Sequence, residues 1–199
     1  MRYKSIALLF SFLFILGTAS RAIAQVTYSA REGKLPFTAG MGVSDFSDDW
    51  GIKNPRQVGI TLWADWRLPH LPSVLDGLGI EFEGRDLNYA TPSYIPGHRM
   101  DTALGGPIYE FHRQGSIRPF AKYLMGIGSI DFPNASTYSH DTRAVYAPAG
   151  GLDFRFWNQL SVRGEYEYQF WHQIFGPRDL TPNGFSVGVV YDFGRRPGA

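Results

Sequence analysis

The chain has 199 residues, a formal net charge of +1 and no cysteine. The near-neutral charge excludes the basic surface of a nucleic-acid-binding protein. The lack of cysteine excludes disulfides, thiol nucleophiles and cysteine-based metal sites. Aromatic residues make up 16% of the chain, although its composition is mildly polar, and this combination is typical of barrels with aromatic girdles at both membrane interfaces.

Residues 1–24 have the pattern of a cleaved signal peptide. Arg2 and Lys4 give a positive start, an apolar run covers 6–16, and the small-x-small sequence 22–24 closes the segment. The alternative, a membrane-anchoring helix, needs about 20 apolar residues, which is more than this run provides. We expect cleavage after Ala24, which leaves 25–199 as one domain with a short C-terminal tail.

Eight segments of the mature chain alternate apolar and polar residues with period two, which predicts strands. They span 35–43, 57–67, 78–87, 101–113, 117–128, 144–156, 160–170 and 184–193. In 160–170, for example, Tyr166 has apolar neighbours at one parity, whereas Glu165 and Glu167 belong to a polar parity. A helix would scatter these polar residues, whereas a strand places them on one face.

The connections between these segments alternate in length. They span 44–56, 68–77, 88–100, 114–116, 129–143, 157–159 and 171–183. The odd-numbered connections are long and two of the even-numbered ones are tight turns, whereas the length of 68–77 has no explanation in the pattern. Outer-membrane barrels have short periplasmic turns and long extracellular loops. The sequence therefore predicts an all-β fold, an eight-stranded antiparallel up-and-down transmembrane β-barrel.

A soluble β-sandwich or a lipocalin-like barrel would show similar alternation, with the apolar parity in its core. The missing disulfides, the charges on the polar parity and the aromatic residues near strand ends favour the membrane barrel. The charges are Asp65, Glu81, Glu83, Glu110, Asp153, Glu165, Glu167, Asp192, Arg67, Arg85, Lys122, Arg155 and Arg163. The aromatic residues are Trp66, Tyr109, Phe111, Phe156, Tyr168, Phe170, Tyr191 and Phe193. Because eight strands enclose only enough room for side chains, we expect these charges and Trp63 to fill the interior and the charges to pair there.

The last strand carries a family resemblance. Residues 186–193, Ser-Val-Gly-Val-Val-Tyr-Asp-Phe, resemble the C-terminal signal read by the outer-membrane barrel assembly machinery. The matching positions are Ser186, Gly188, Tyr191 and Phe193, although the chain continues through 194–199. Residues 118–128 are similar to a middle strand of the small OmpA-like or OmpX-like barrels of the outer-membrane β-barrel superfamily. The resemblance implies this fold and a location in the outer membrane of a Gram-negative bacterium, and little about activity.

These patterns predict a non-enzymatic outer-membrane protein with a structural or surface-interaction role, a plugged interior and exposed long loops. The expected partners are outer-membrane lipids, including lipopolysaccharide, and the assembly machinery; nucleic acid is not expected, and a monomer is favoured. The alternatives are a lipid A-modifying acyl hydrolase or transferase on the same fold, and a narrow pore or small-ligand carrier. No catalytic, cofactor-binding or metal-binding residue is assigned, and no cofactor is expected.

Two motifs resemble functional sites but have simpler explanations. The tripeptide 139–141, Ser-His-Asp, contains the groups of a hydrolase relay, but adjacent residues of an extended chain point to opposite sides. The His-x-Ser-Asn signature of the deacylases is absent. Three long connections contain a histidine each and the fourth contains three aspartates, without the spacing of metal ligands. These residues are His98, His140, His172, Asp45, Asp48 and Asp49.

Three further features are expected to be structural. His112 should pair with Glu110 inside the barrel. Gly126 and Gly128 lie inside a strand, where they leave room for bulky interior neighbours. The sequon at 134–136, Asn-Ala-Ser, carries no meaning in a bacterial protein.

Overall fold

A computed structural model describes residues 36–49, 55–69, 71–89, 98–132, 139–177 and 179–194. The expected signal peptide, the sequon and the tail from 195 to 199 lie outside the described residues. The strands are β1 Phe37–Ser47, β2 Arg56–Arg67, β3 Leu78–Tyr89, β4 Arg99–Glu110, β5 Ile117–Phe132, β6 Ser139–Arg155, β7 Leu160–Tyr168, β8 Phe170–Trp171 and β9 Asn183–Asp192. A 3-10 turn spans Ser73–Leu75. Within these ranges, no helix is long and apolar enough to cross a membrane.

The strands form one closed antiparallel sheet. Each strand pairs with its successor from β1 to β7. β9 closes the sheet, because it pairs with β7 on one side and with β1 on the other, from Thr38 opposite Asp192 to Ser47 opposite Asn183. β8 continues β7 along β6 after an interruption at Gln169. The two together make one barrel strand, so the predicted eight-stranded up-and-down barrel is confirmed.

The two faces of the sheet have the polarity of a membrane barrel. Side chains on the outer face are apolar yet exposed, for example Met41 at 54%, Phe82 at 63% and Val187 at 57%. Charged side chains such as Glu83 and Lys122 are buried in the interior. A soluble β-sandwich would bury the apolar parity instead, and soluble monomers rarely expose so large an apolar surface. The arrangement therefore contradicts the soluble alternatives.

Aromatic side chains surround the outer face near both ends of the strands, as predicted. At one end, the Phe37 ring lies 6.4 Å from Trp66 and 5.5 Å from Phe193. At the other end, the rings of Tyr168 and Phe170 lie 5.0 Å apart. Aromatic girdles of this kind mark the two interfaces of the lipid band.

Several strands extend beyond their predicted ends on the side of the long loops. β1 continues to Ser47, β5 continues to Phe132 and β6 begins at Ser139. Residues that were predicted to lie in the loops 44–56, 88–100 and 129–143 therefore belong to strands at the edges of these segments. The reason is that outward residues at this end, such as Asp131 and His140, are polar. A strand that has left the lipid loses its apolar parity, although its backbone pairing continues.

Candidate functional site: the filled lumen and the outer rim

Lys122 lies at the centre of a buried charge network in the lumen. Its Nζ donates to Glu81 at 2.5 Å, to Glu83 at 2.7 Å and to Glu165 at 2.8 Å. The three carboxylates lie within 4.8 Å of one another, a spacing that a metal ion could bridge. The Lys122 ammonium already contacts all three, so it supplies the positive charge that this cluster needs.

Two arginines extend the network along the barrel. Arg163 bonds Asp153 at 2.9 Å, Glu81 at 2.9 Å and Asp65 at 2.8 Å, and its guanidinium lies over the Phe120 ring. These charge-assisted hydrogen bonds connect strands that are distant in sequence.

Arg85 makes the second arginine layer. Its Nη1 donates a hydrogen bond to Glu167 at 2.7 Å, its Nη2 forms an ion pair with Glu83 at 2.7 Å, and its Nε donates to Thr61 at 3.1 Å. The predicted internal pairing of the charges is thus confirmed, except that Arg155 makes no ion pair within the described residues. Trp63 is buried as expected, and its Nε1 donates to Glu165 at 3.2 Å.

The half of the lumen nearer the long loops is filled by apolar side chains, which the sequence analysis did not predict. We call this cluster the plug; it comprises Phe46, Leu87, Met100, Leu104, Leu124, Ile130, Val145, Ala147, Trp171, Ile174 and Leu180. The glycine prediction is confirmed for Gly128, because a Cβ there would lie 2.2 Å from the Trp171 ring, but not for Gly126, where a Cβ would meet the Ala103 carbonyl oxygen of β4 at 2.1 Å. Apolar residues at inward-facing positions weaken the alternation of apolar and polar residues in 101–113 and 117–128. This weak alternation was the sign in the sequence that part of the lumen is apolar.

A buried His–Asp pair covers the plug at its outer end. His98 Nδ1 lies 3.3 Å from Asp48 Oδ2, and the His98 ring stacks on Phe132 at 4.8 Å. Gln57 donates to the His98 carbonyl at 2.9 Å. Burial raises the pKa of the Asp48 carboxyl, and the favourable interaction with the adjacent His98 only partly offsets this effect.

The histidines of the long connections do not converge on one site. His98 pairs with Asp48, His172 pairs with Asp179 at 2.9 Å, and His140 contacts Asp131. Each imidazole therefore has its own carboxylate, and the three do not form a metal site together. The Ser139-His140-Asp141 tripeptide forms no relay, because these adjacent residues of β6 alternate between faces.

The predicted pair of His112 with Glu110 is wrong. Glu110 Oε2 forms an ion pair with Arg67, whose Nε lies 2.9 Å away, and accepts a hydrogen bond from Arg118 Nη1 at 2.6 Å. β4 ends at Glu110, so His112 lies in the following turn, where it is exposed. The residues share a parity in sequence, but the turn removes His112 from the inner face.

Charged side chains lie on the outer face of β1 to β4, at the ends nearer the long loops; we call Asp45, Arg56, Asp86, Arg99 and Asp101 the outer rim. Arg56 bonds Asp45 at 3.0 Å, and Arg99 bonds Asp86 at 3.2 Å and Asp101 at 2.9 Å. Both arginines are about half exposed. Their guanidinium groups are therefore accessible to a ligand at this end of the barrel.

The residues of the C-terminal strand motif lie on both faces of β9. Ser186 is buried and its Oγ lies 2.7 Å from Ser44 Oγ. Gly188 packs so closely on β1 that a Cβ would lie 2.2 Å from the Met41 carbonyl oxygen. Tyr191 and Phe193 face the lipid with their rings 4.7 Å apart.

A family model described as "Outer membrane protein beta-barrel domain" matches residues 10–193. No curated protein sequence matches. Among solved structures, Neisserial surface protein A is 13% identical with a TM-score of 0.62, over 79% of this chain and 97% of that one. The N-terminal β-barrel domain of Pseudomonas aeruginosa OprF is 11% identical with a TM-score of 0.50, over 77% of this chain and 97% of that one. At these identities the likeness shows a shared fold.

Proposed function

Because this chain belongs to the outer membrane protein β-barrel domain family and lies in the bacterial outer membrane, we propose that it is a closed, non-enzymatic anchor that presents its outer loops to partners. The observation that carries this proposal is the filled lumen. Charged layers around Lys122 and the plug around Trp171 occupy the interior. The structural likeness to a protein named for the cell surface agrees with this role.

A filled lumen argues against the pore alternative on energetic grounds. A conducting path would require Lys122 or Arg163 to leave buried carboxylates, and separating one buried ion pair costs about 3–5 kcal/mol. It would also require displacement of Trp171, which is fully buried. Both changes together are too costly for frequent opening.

Conductance measurements in planar bilayers test this proposal. The folded protein should give no reproducible current steps, and the heat-denatured protein serves as the control for unspecific leakage. A faster migration of the unboiled protein on a denaturing gel confirms that the barrel is folded. Stable conductance steps from the folded fraction alone would contradict the proposal and favour the pore.

Lipopolysaccharide is the lipid partner that we propose for the outer rim. Guanidinium groups bind phosphate oxygens in a bidentate manner, and the half-exposed Arg56 and Arg99 lie on the outer face at the end nearer the long loops. The double variant Arg56→Gln/Arg99→Gln should bind lipopolysaccharide-containing vesicles more weakly than the wild type, with Arg155→Gln at the opposite end as the matched control. Equal binding by all three proteins would contradict this assignment.

We also propose that β9 is the segment read by the assembly machinery, through Ser186, Gly188, Tyr191 and Phe193, and that the assembled barrel is a monomer. The Phe193→Ala variant should reach the outer membrane less efficiently in cells, although it folds into lipid vesicles as the wild type does. Light scattering of the purified protein in detergent gives its molar mass and so tests whether it is a monomer. A folding defect in vesicles would show that Phe193 acts through stability instead.

A second candidate function is acyl-ester hydrolysis at the outer membrane surface, and one observation favours it. His140 contacts Asp131 through Nδ1, and its Nε2 lies 3.0 Å from Thr142 Oγ1. Carboxylate, imidazole and hydroxyl thus follow one another in the order of a hydrolase relay. Release of fatty acid from phospholipid in mixed micelles should then be lost in Thr142→Ala and kept in His172→Ala. Equal release by the wild type and Thr142→Ala would eliminate this candidate.

A further inference from the structure

The connection between β2 and β3, residues 68–77, is longer than the other turns at its end of the barrel, and its segment 71–77 packs against the end of β4. The Tyr109 hydroxyl donates to the Val74 carbonyl at 2.9 Å, and the Glu110 amide donates to the Gly77 carbonyl at 2.8 Å. A Cβ at Gly77 would lie 1.9 Å from the Glu110 carbonyl oxygen, so only glycine permits this approach. These contacts fix the connection against the end of β4.

This segment forms one side of an open cavity of about 320 Å³, which we call the basal pocket. Its charged lining comprises Arg67, Asp76, Glu110, Arg113 and Arg118. The pocket lies at the end opposite the long loops, which is the periplasmic end of an outer-membrane barrel. The extra length of 68–77, unexplained by the sequence, builds one side of it.

Groups of opposite charge in the basal pocket retain hydrogen-bonding capacity. Arg118 uses only Nη1, on Glu110, among the described residues, so its other guanidinium N–H groups are available. The exposed carboxylate of Asp76 makes no hydrogen bond or ion pair within the described part of the chain. A guanidinium can bind an oxyanion and a carboxylate can bind an ammonium, so the pocket offers complementary groups for both ends of a small zwitterion.

The position of the basal pocket suggests where such a zwitterion comes from. Tyr109 and Phe111 also line the pocket, and their rings lie 5.0 Å apart in the aromatic girdle. Aromatic girdles lie at the level of the lipid headgroups. The pocket therefore faces both the periplasm and the headgroups of the inner leaflet.

We propose that the basal pocket binds a small zwitterion that carries a phosphate or carboxylate oxyanion and an ammonium group, with phosphoethanolamine as the best-matched chemistry. Arg118, with Arg113, binds the oxyanion, and Asp76 binds the ammonium. The source is either a free solute of the periplasm or the headgroup of a lipid in the inner leaflet, and two experimental arms distinguish them.

In the first arm, the barrel in phosphatidylcholine nanodiscs is titrated with O-phosphoethanolamine and with inorganic phosphate, by calorimetry. O-phosphoethanolamine should bind saturably and at least threefold more tightly than phosphate. Arg118→Gln and Asp76→Asn should each weaken it at least fivefold, whereas Asp76→Asn should leave phosphate binding unchanged. Arg143→Gln, at the opposite end of the barrel and outside both proposed binding surfaces, is the matched control and should bind as the wild type does.

In the second arm, native mass spectrometry counts the lipids retained by the barrel from equal mixtures of phosphatidylethanolamine and phosphatidylcholine. Preferential retention of phosphatidylethanolamine, lost in Asp76→Asn, assigns the pocket to a lipid headgroup; binding in the first arm alone assigns it to a free solute. Asp76 is exposed, so its variant tests the proposal even where Arg118→Gln does not fold. Absence of saturable binding in both arms, or binding unaffected by Asp76→Asn, would overturn the proposal.

Discussion

Replacement of Lys122 by methionine tests whether the buried network stabilises the barrel. The variant removes the cation that contacts Glu81, Glu83 and Glu165, all of which are completely buried. Methionine fills a similar volume, so the change removes charge with little loss of packing. Loss of one partner of a buried ion pair costs about 3–5 kcal/mol, because the remaining charge stays in a medium of low dielectric constant. We expect a loss of this order, which corresponds to a folding constant smaller by roughly 10²- to 4 × 10³-fold.

Reversible denaturant unfolding in lipid vesicles, followed by tryptophan fluorescence, measures this loss. The double variant Lys122→Met/Glu165→Gln should recover part of the stability, because it leaves one fewer uncompensated carboxylate. Calcium should stabilise Lys122→Met and leave the wild type unchanged, since the carboxylates within 4.8 Å of one another could then bind a divalent cation. A loss below about 1 kcal/mol for Lys122→Met, on the scale of a surface pair, would refute this reasoning.

The remaining predictions concern the lipid face, the plug and its cover. Val187→Arg places a charge on the lipid face near the middle of β9 and should cost about 2–4 kcal/mol in vesicle folding, whereas Val187→Thr should cost much less. Gly128→Ala places a Cβ against the Trp171 ring and should destabilise the barrel by about 1–3 kcal/mol; unchanged stability in the same assay would show that the ring moves away freely. Burial raises the pKa of Asp48 in the folded state above its ordinary value of 3.8. In the pH range between these two pKa values, the folded protein keeps a proton on Asp48 that the unfolded chain has lost. Stability should therefore fall as the pH rises through that window, and Asp48→Asn should remove this part of the pH dependence of unfolding.

The polarity of each strand face could be derived from the sequence alone. In β7, Tyr166 is exposed on the outer face and Glu167 is buried in the lumen, as their alternating positions predicted. Lipid and lumen require opposite chemistry, and successive residues of a strand point to opposite sides. The fold, the sidedness and the aromatic girdles therefore follow from local pattern.

The ends of the strands could be derived only in part. Asp131 and His140 pair across β5 and β6 beyond the lipid band. At that level the outer face no longer contacts lipid and can be polar, so the alternation of apolar and polar residues no longer distinguishes a strand from a loop. Only the hydrogen-bonding register of the folded sheet shows where the strand ends.

The partners inside the lumen were decided by the tertiary structure. Arg163 bonds Glu81 across 82 residues of sequence, and Glu110 bonds Arg67 and Arg118 instead of His112. The sequence determined which charges face inward, because that depends on parity within one strand. Which of them meet, and that apolar side chains fill the outer half of the lumen, depends on closure of the barrel, since only closure brings distant strands to face one another across its axis.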